Sequence, residues 1–137
     1  MTEHRASCRC GQLVAIASGD PVRVSVCHCR NCQKRTGSAF AAQARWPGDR
    51  VAISGSSGTF EKAGDSGSTA TFHFCPECGS DVYFVNGGSS VHVAVADSIA
   101  IPIGAFDDPS FATPQFSVWE SRKHEWVEIR GPGIDHD

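Results

Sequence analysis

No stretch of this chain approaches the roughly 18 consecutive apolar residues needed to cross a bilayer as a helix, so a membrane span is not expected. The first residues, Met1-Thr-Glu-His-Arg-Ala-Ser7, contain no apolar segment of the kind that directs secretion. A reducing, cytoplasmic setting follows as the expectation, and there cysteines serve more often as metal ligands or nucleophiles than as disulfides. Excess positive charge is lacking too. The net charge is -3 and the pI about 6.0, which removes a fold-wide basic surface for nucleic acid. No window of a dozen residues carries an i, i+3, i+4 apolar stripe, so long amphipathic helices are not predicted. Internal repeats and dividing linkers are absent as well. What remains is 137 residues with 40% apolar and 20% charged content, enough for one ordinary globular core.

The patterning that is present has period two. Val22, Val24 and Val26 alternate with Arg23 and Ser25; Ala70, Phe72 and Phe74 with Thr69, Thr71 and His73; Val91, Val93 and Val95 with His92 and Ala94. Each reads as a half-buried strand. Further strands are expected within 11–18, 39–46, 51–54, 81–85 and 126–130, separated by glycine and proline turns. Residues 29–36 allow a short helical turn. An all-β domain over 1–130, built of packed antiparallel sheets, followed by a loose tail at 131–137, is the resulting expectation.

Seven cysteines fall into three clusters: Cys8-x-Cys10, Cys27-x-Cys29-x-x-Cys32 and Cys75-x-x-Cys78. A complete disulfide framework would leave one over. Cys75-Pro-Glu-Cys78-Gly79 is a zinc knuckle: a strand runs into a tight turn, and Gly79 can adopt the positive φ that turns both thiolates toward one ion. Two further ligands are required. On an extended strand Cys8 and Cys10 would lie about 6.6 Å apart, at ~3.3 Å per residue. Thiolates sharing a tetrahedral zinc sit only about 3.8 Å apart, given Zn–S of ~2.3 Å. The chain is therefore expected to bend at Cys8–Cys10, with Gly11 permitting it, and Cys8, Cys10, Cys75 and Cys78 form a closed structural site.

Cys27, Cys29 and Cys32 remain. Three protein ligands with a fourth position open distinguish a catalytic zinc from a structural one. A histidine, His28, His73 or His92, closing the site as Cys₃His is the competing arrangement. His28 lies between two ligands, which suits a supporting or substrate-contacting role better than ligation. Three thiolates on Zn²⁺ leave a charge of -1, a poor Lewis acid toward water but well suited to hold an incoming thiol as thiolate. The adjoining cations Arg30, Lys34 and Arg35 could pair with carboxylates of a small acidic thiol such as glutathione; solvated loop charges are the plainer reading.

This order of motifs, CxC, then Cys27-His-Cys-x-x-Cys32, then Thr36-Gly-Ser-Ala-Phe40, then Phe74-Cys-Pro-x-Cys-Gly79, resembles the glutathione-dependent formaldehyde-activating (Gfa, centromere protein V) family. The resemblance extends from Cys8 to about Trp126, with Pro114–Trp119 and Lys123–Trp126 similar to the family's closing segment. It implies a β-tent fold with two zinc ions per chain. Cys8, Cys10, Cys75 and Cys78 would be the structural ligands, and Cys27, Cys29 and Cys32 the catalytic ones. The implied activity is carbon–sulfur bond formation and cleavage, as in S-hydroxymethylglutathione. A non-catalytic, zinc-stabilised protein-binding module is the alternative, because β-tent folds also serve as chaperones.

Overall fold

The computed structural model describes residues 1–63, 69–87 and 98–137. Eleven strands and a single α-helix, besides four short 3-10 turns, occur among them: β1 (Glu3–Ser7), β2 (Val14–Ser18), β3 (Arg23–Cys27), α1 (Arg30–Thr36), β4 (Ala41–Pro47), β5 (Val51–Ser54), β6 (Gly58–Ala63), β7 (Thr69–Phe74), β8 (Asp81–Gly87), β9 (Ser98–Pro102), β10 (Phe116–Val118) and β11 (Asp135–His136). The alternating valines of β3 and the alternating aromatics of β7 form strands as their period requires. The predicted strand through Val91, Val93 and Val95 lies outside the described residues.

Strands β1, β2 and β5 make a small antiparallel sheet. The other eight join in the order β11-β10-β3-β4-β9-β8-β7-β6. Pairing is antiparallel except at β10, which lies parallel to both β3 and β11. That departure from the expected antiparallel arrangement has a topological cause: β10 arrives from the far end of the chain, not through a hairpin. Ala6, Leu13, Ala15 and Ala17 from one side meet Val24, Ala44, Val82, Ile101 and Phe106 from the other in a common core. Trp46 is its largest fully buried member, with its indole N–H donating to the Gly19 carbonyl at 3.0 Å.

Two expectations are corrected. Residues 126–130 form no strand; the chain turns there, with the Val127 N–H on the His124 carbonyl and Lys123 Nζ on the Val127 carbonyl. The tail is not loose. Asp135 and His136 pair with Phe116 and Ser117, and the Asp137 N–H donates to the Ser117 carbonyl at 2.9 Å. The free edge of β10 supplies unpaired backbone groups, and the last residues satisfy them.

Candidate metal centres and the adjoining cavity

The first centre is assembled by two glycine-dependent turns. After β1 the Gly11 N–H returns to the Cys8 carbonyl at 3.1 Å, with Gly11 at φ 85°, and Cys8 and Cys10 are folded onto one side. After β7 the Gly79 N–H returns to the Cys75 carbonyl at 2.8 Å, with Gly79 at φ 77°. A register shift between His73 and Phe74 re-aims the chain immediately before this turn. The Cys8 and Cys10 sulfurs are then 3.6 Å apart and those of Cys10 and Cys75 3.7 Å. All four sulfurs lie within 4.8 Å of one another. These separations match the ~3.8 Å expected of thiolates around one tetrahedral zinc, so the residues fit that ion.

The surrounding groups stabilise negative sulfur. The Leu13 N–H points at Cys8 Sγ (3.3 Å) and Gln12 Nε2 at Cys75 Sγ (2.9 Å). Hydrogen bonds from the Ser80 side chain and backbone hold the Cys78 thiol down at about 5. Against the lowering pull of the Gln12 backbone, the contact with Cys8 pushes Cys10 up to about 12. Without metal, the cluster thus keeps part of its protons, and metal binding must release them.

The second centre is local. Cys27 ends β3, Cys29 caps α1 and Cys32 lies in its first turn, so a strand-to-helix junction brings three sulfurs within 4.8 Å of one another. The Cys32 N–H donates to Cys29 Sγ at 3.3 Å. Hydrogen bonds from Cys27 and Cys32 hold the Cys29 thiol down at about 2, with the Cys32 and Asn31 backbone adding to the effect. The same sharing pushes Cys27 above the ordinary thiol range. Among the described residues no histidine or carboxylate joins these three sulfurs.

The candidate histidines are accounted for differently. His28 is fully buried, its Nε2 2.9 Å from Ser117 Oγ on β10 and its Nδ1 without a partner. Its side chain has no exposed surface and does not line the cavity beside Cys27 and Cys32. His73 pairs with Ser57 Oγ at 2.9 Å and stacks on Tyr83. His92 lies outside the described residues. Gln33, overlooked in the sequence, ties this region together: its Nε2 donates to the carbonyls of His28 and Arg122, while its Oε1 accepts from Arg30 and sits 2.9 Å from His124 Nε2.

Cys27 and Cys32 open onto a cavity of about 530 Å³ on the face of the large sheet. Arg35 lines it, ion-paired with Asp81 and set over the rings of Phe72 and Phe84. Arg30 instead turns to Gln33, and Lys34 lines a neighbouring groove of about 370 Å³ with Phe60 and Phe74. Two further arginines, Arg23 and Arg45, line the cavity from β3 and β4. Their signal was hidden, because polar residues alternating with apolar ones read as a solvent face. Burial lowers the Arg45 guanidinium to about 10. Trp119 forms part of the rim, 45% exposed, and is the one non-glycine residue with positive φ (57°) among those described. Such backbone costs on the order of 1–3 kcal/mol and collects at functional sites.

Comparison with known proteins agrees with this arrangement. A crystal structure of a Rhodobacter sphaeroides protein, determined by structural genomics, superposes with a TM-score of 0.52 at 17% identity, covering 75% of this chain and 87% of that one. That likeness concerns the fold. No curated protein matches the chain significantly. The family described as glutathione-dependent formaldehyde-activating enzyme matches residues 3–122, which include all seven cysteines of the two centres. The chain belongs to the glutathione-dependent formaldehyde-activating enzyme family.

Proposed function

We propose that the protein is a zinc-dependent carbon–sulfur lyase acting on thiol adducts of small aldehydes, with the formation and cleavage of S-hydroxymethylglutathione as the reaction the family suggests. In this reading the fold is the family's β-tent, held by a structural zinc on Cys8, Cys10, Cys75 and Cys78. Cys27, Cys29 and Cys32 hold the catalytic zinc. One observation carries the proposal: of three clustered sulfurs, joined by no other ligating side chain among the described residues, those of Cys27 and Cys32 line a cavity large enough for a small thiol.

Bound zinc supplies the positive charge that keeps an incoming sulfur deprotonated at neutral pH. The chain's own residues do the rest. The N-terminal turn of α1 presents the Cys32 N–H to Cys29, and the His28–Ser117 contact fixes the bend between Cys27 and Cys29. Phe72 and Phe84 make part of the cavity apolar, limiting water around the reacting carbon. In the forward direction a sulfur–carbon bond forms, the carbonyl π bond opens, and the proton lost by sulfur ends on the former carbonyl oxygen. Cleavage reverses each change. A small thiol such as glutathione is the proposed partner, the cytoplasm the proposed location, and no nucleic acid is invoked.

Exchange between free and hydroxymethylated glutathione, followed by NMR with the zinc-loaded protein, tests the reading. Acceleration that vanishes in Cys29→Ser while the melting temperature holds is the expected result. No acceleration with two zinc ions bound per chain would make the protein a zinc-stabilised binding module instead.

A further inference from the structure

The cations nearest the open centre in sequence are not those best placed to bind substrate. Arg35 is already neutralised by Asp81, Arg30 is held by Gln33, and Lys34 lies in the neighbouring groove. Arg45 differs. Its Nε and one terminal nitrogen are buried without a hydrogen-bond partner, and no carboxylate among the described residues pairs with it. The buried Gln43 Oε1, two residues back on the same face of β4, also lacks a partner. A native fold rarely leaves a buried guanidinium and a buried amide oxygen both unsatisfied. Both line the cavity.

The register arranges these groups in a row. Across the β3–β4 pair, Cys27 faces Ala41, Ser25 faces Gln43 and Arg23 faces Arg45. Arg23 thus sets a second positive charge directly across the strand pair from Arg45. Four residues separate Cys27 from Arg23, or about 13 Å along the strand at ~3.3 Å per residue. Arginine side chains reaching back shorten the gap.

We propose that Arg45, with Arg23 opposite, is the carboxylate-binding end of the cavity, and that Gln43 Oε1 accepts an N–H from the middle of the same ligand. The proposed thiol then spans the cavity with its sulfur at Cys27, Cys29 and Cys32, an N–H at Gln43 and a carboxylate at Arg45. The position of the sulfur rests on the lyase reading. The polar end does not.

Calorimetric titration with S-methylglutathione and its diethyl ester tests the subsite without turnover, since neither can become a thiolate. Wild-type zinc-loaded protein should bind the acid at least about tenfold more tightly than the ester, as expected for a buried charge pair. Arg45→Gln should erase that preference, and the exposed Arg130→Gln should keep it. Equal wild-type affinity for the two compounds, or an undiminished preference in a folded Arg45→Gln protein, overturns the proposal. Should Arg45→Gln melt early, the wild-type pair and Arg45→Lys decide: a lysine variant that still favours the acid, though less strongly, supports the subsite. Turnover of glutathione and formaldehyde separates the two readings. An acid preference without turnover removes the lyase and keeps the subsite; turnover without the preference removes only the subsite.

Discussion

The two cysteine clusters are built from the same atom type at similar spacing, yet the chain makes them in opposite ways. The four-sulfur centre joins residues 65 apart, from Cys10 to Cys75, and links the turn after β1 to the turn between β7 and β8. On the proposed reading, an ion there would tie the small sheet to the large one. The three-sulfur centre spans six consecutive residues at one strand–helix junction, with backbone that is hydrogen-bonded independently of any ion. On the proposed reading, its loss would cost the fold little. A metal site is structural when it closes a long loop and lacks a vacancy; it is available for chemistry when the scaffold stands without it.

The sharpest way to break this contrast is to attack the long-range centre. Cys75→Ser, at a fully buried position, should forfeit much of a metal-linked folding free energy of order 10 kcal/mol. Circular dichroism should show partial unfolding or a melting point lowered by tens of degrees. An unchanged melting point with one zinc fewer per chain would remove the structural role. At the other centre, Cys29→Ser should abolish activity, a loss of at least ~10³-fold, while moving the melting point by only a few degrees.

Chemical reactivity sharpens the comparison further. Cys29 is held down at about 2 in the metal-free centre, against an ordinary thiol near 9. Because its folded value is depressed, Cys29 is thiolate throughout the range between these values, where an unperturbed thiol is protonated. Iodoacetamide labelling of metal-free protein at pH 5, read by mass spectrometry, should therefore favour Cys29 over Cys10, which is pushed up to about 12. That selectivity should persist through pH 9 and fade only as pH rises toward 12, where Cys10 also loses its proton. Equal labelling at pH 5 would contradict the hydrogen bonding described at both centres.

The smallest effect concerns the turns. A Cβ at Gly79 meets open space, yet its φ of 77° is strained for any other residue. Gly79→Ala should cost about 1 kcal/mol, seen as a melting point a few degrees lower. Gly37→Ala, with φ 67° at the C-cap of α1, should cost about the same and leave zinc retention at the four-sulfur centre unchanged. If Gly79→Ala left the melting point unmoved, the turn would not need its left-handed residue.

Much of the clustering of the sulfurs was legible because the spacing of cysteines is local information. The Cys75–Gly79 knuckle, the bend at Cys8–Gly11 and the helical turn after Cys29 all follow from short-range geometry, and each forms as read. Strands with weak patterning were not. Glu3–Ser7 contains one alanine among polar residues, and Gly58–Ala63 is largely exposed on the edge of the sheet. Neither carries an alternation to detect, since partners alone make them strands. Trp126–Arg130 has the composition of a strand but no edge to join. Arg45 and Arg23 were hidden for a related reason. Period two tells which residues share a face, but not that the polar face lines a cavity.

The separation of Cys10 from Cys75 also sets a clock. At about 5–20 residues per second, ribosomal synthesis delivers Cys75 roughly 3–13 s after Cys10, whereas Cys27, Cys29 and Cys32 emerge together. From the emergence of Cys32 until that of Cys75 the nascent chain offers a complete three-sulfur ligand set and only half of the four-sulfur one. On the proposed two-zinc reading, an ion captured during synthesis would meet the local centre first, and the order of loading would oppose the order of structural need. A local centre that gives up its metal readily would then have a use before folding ends, as the donor from which the long-range centre fills.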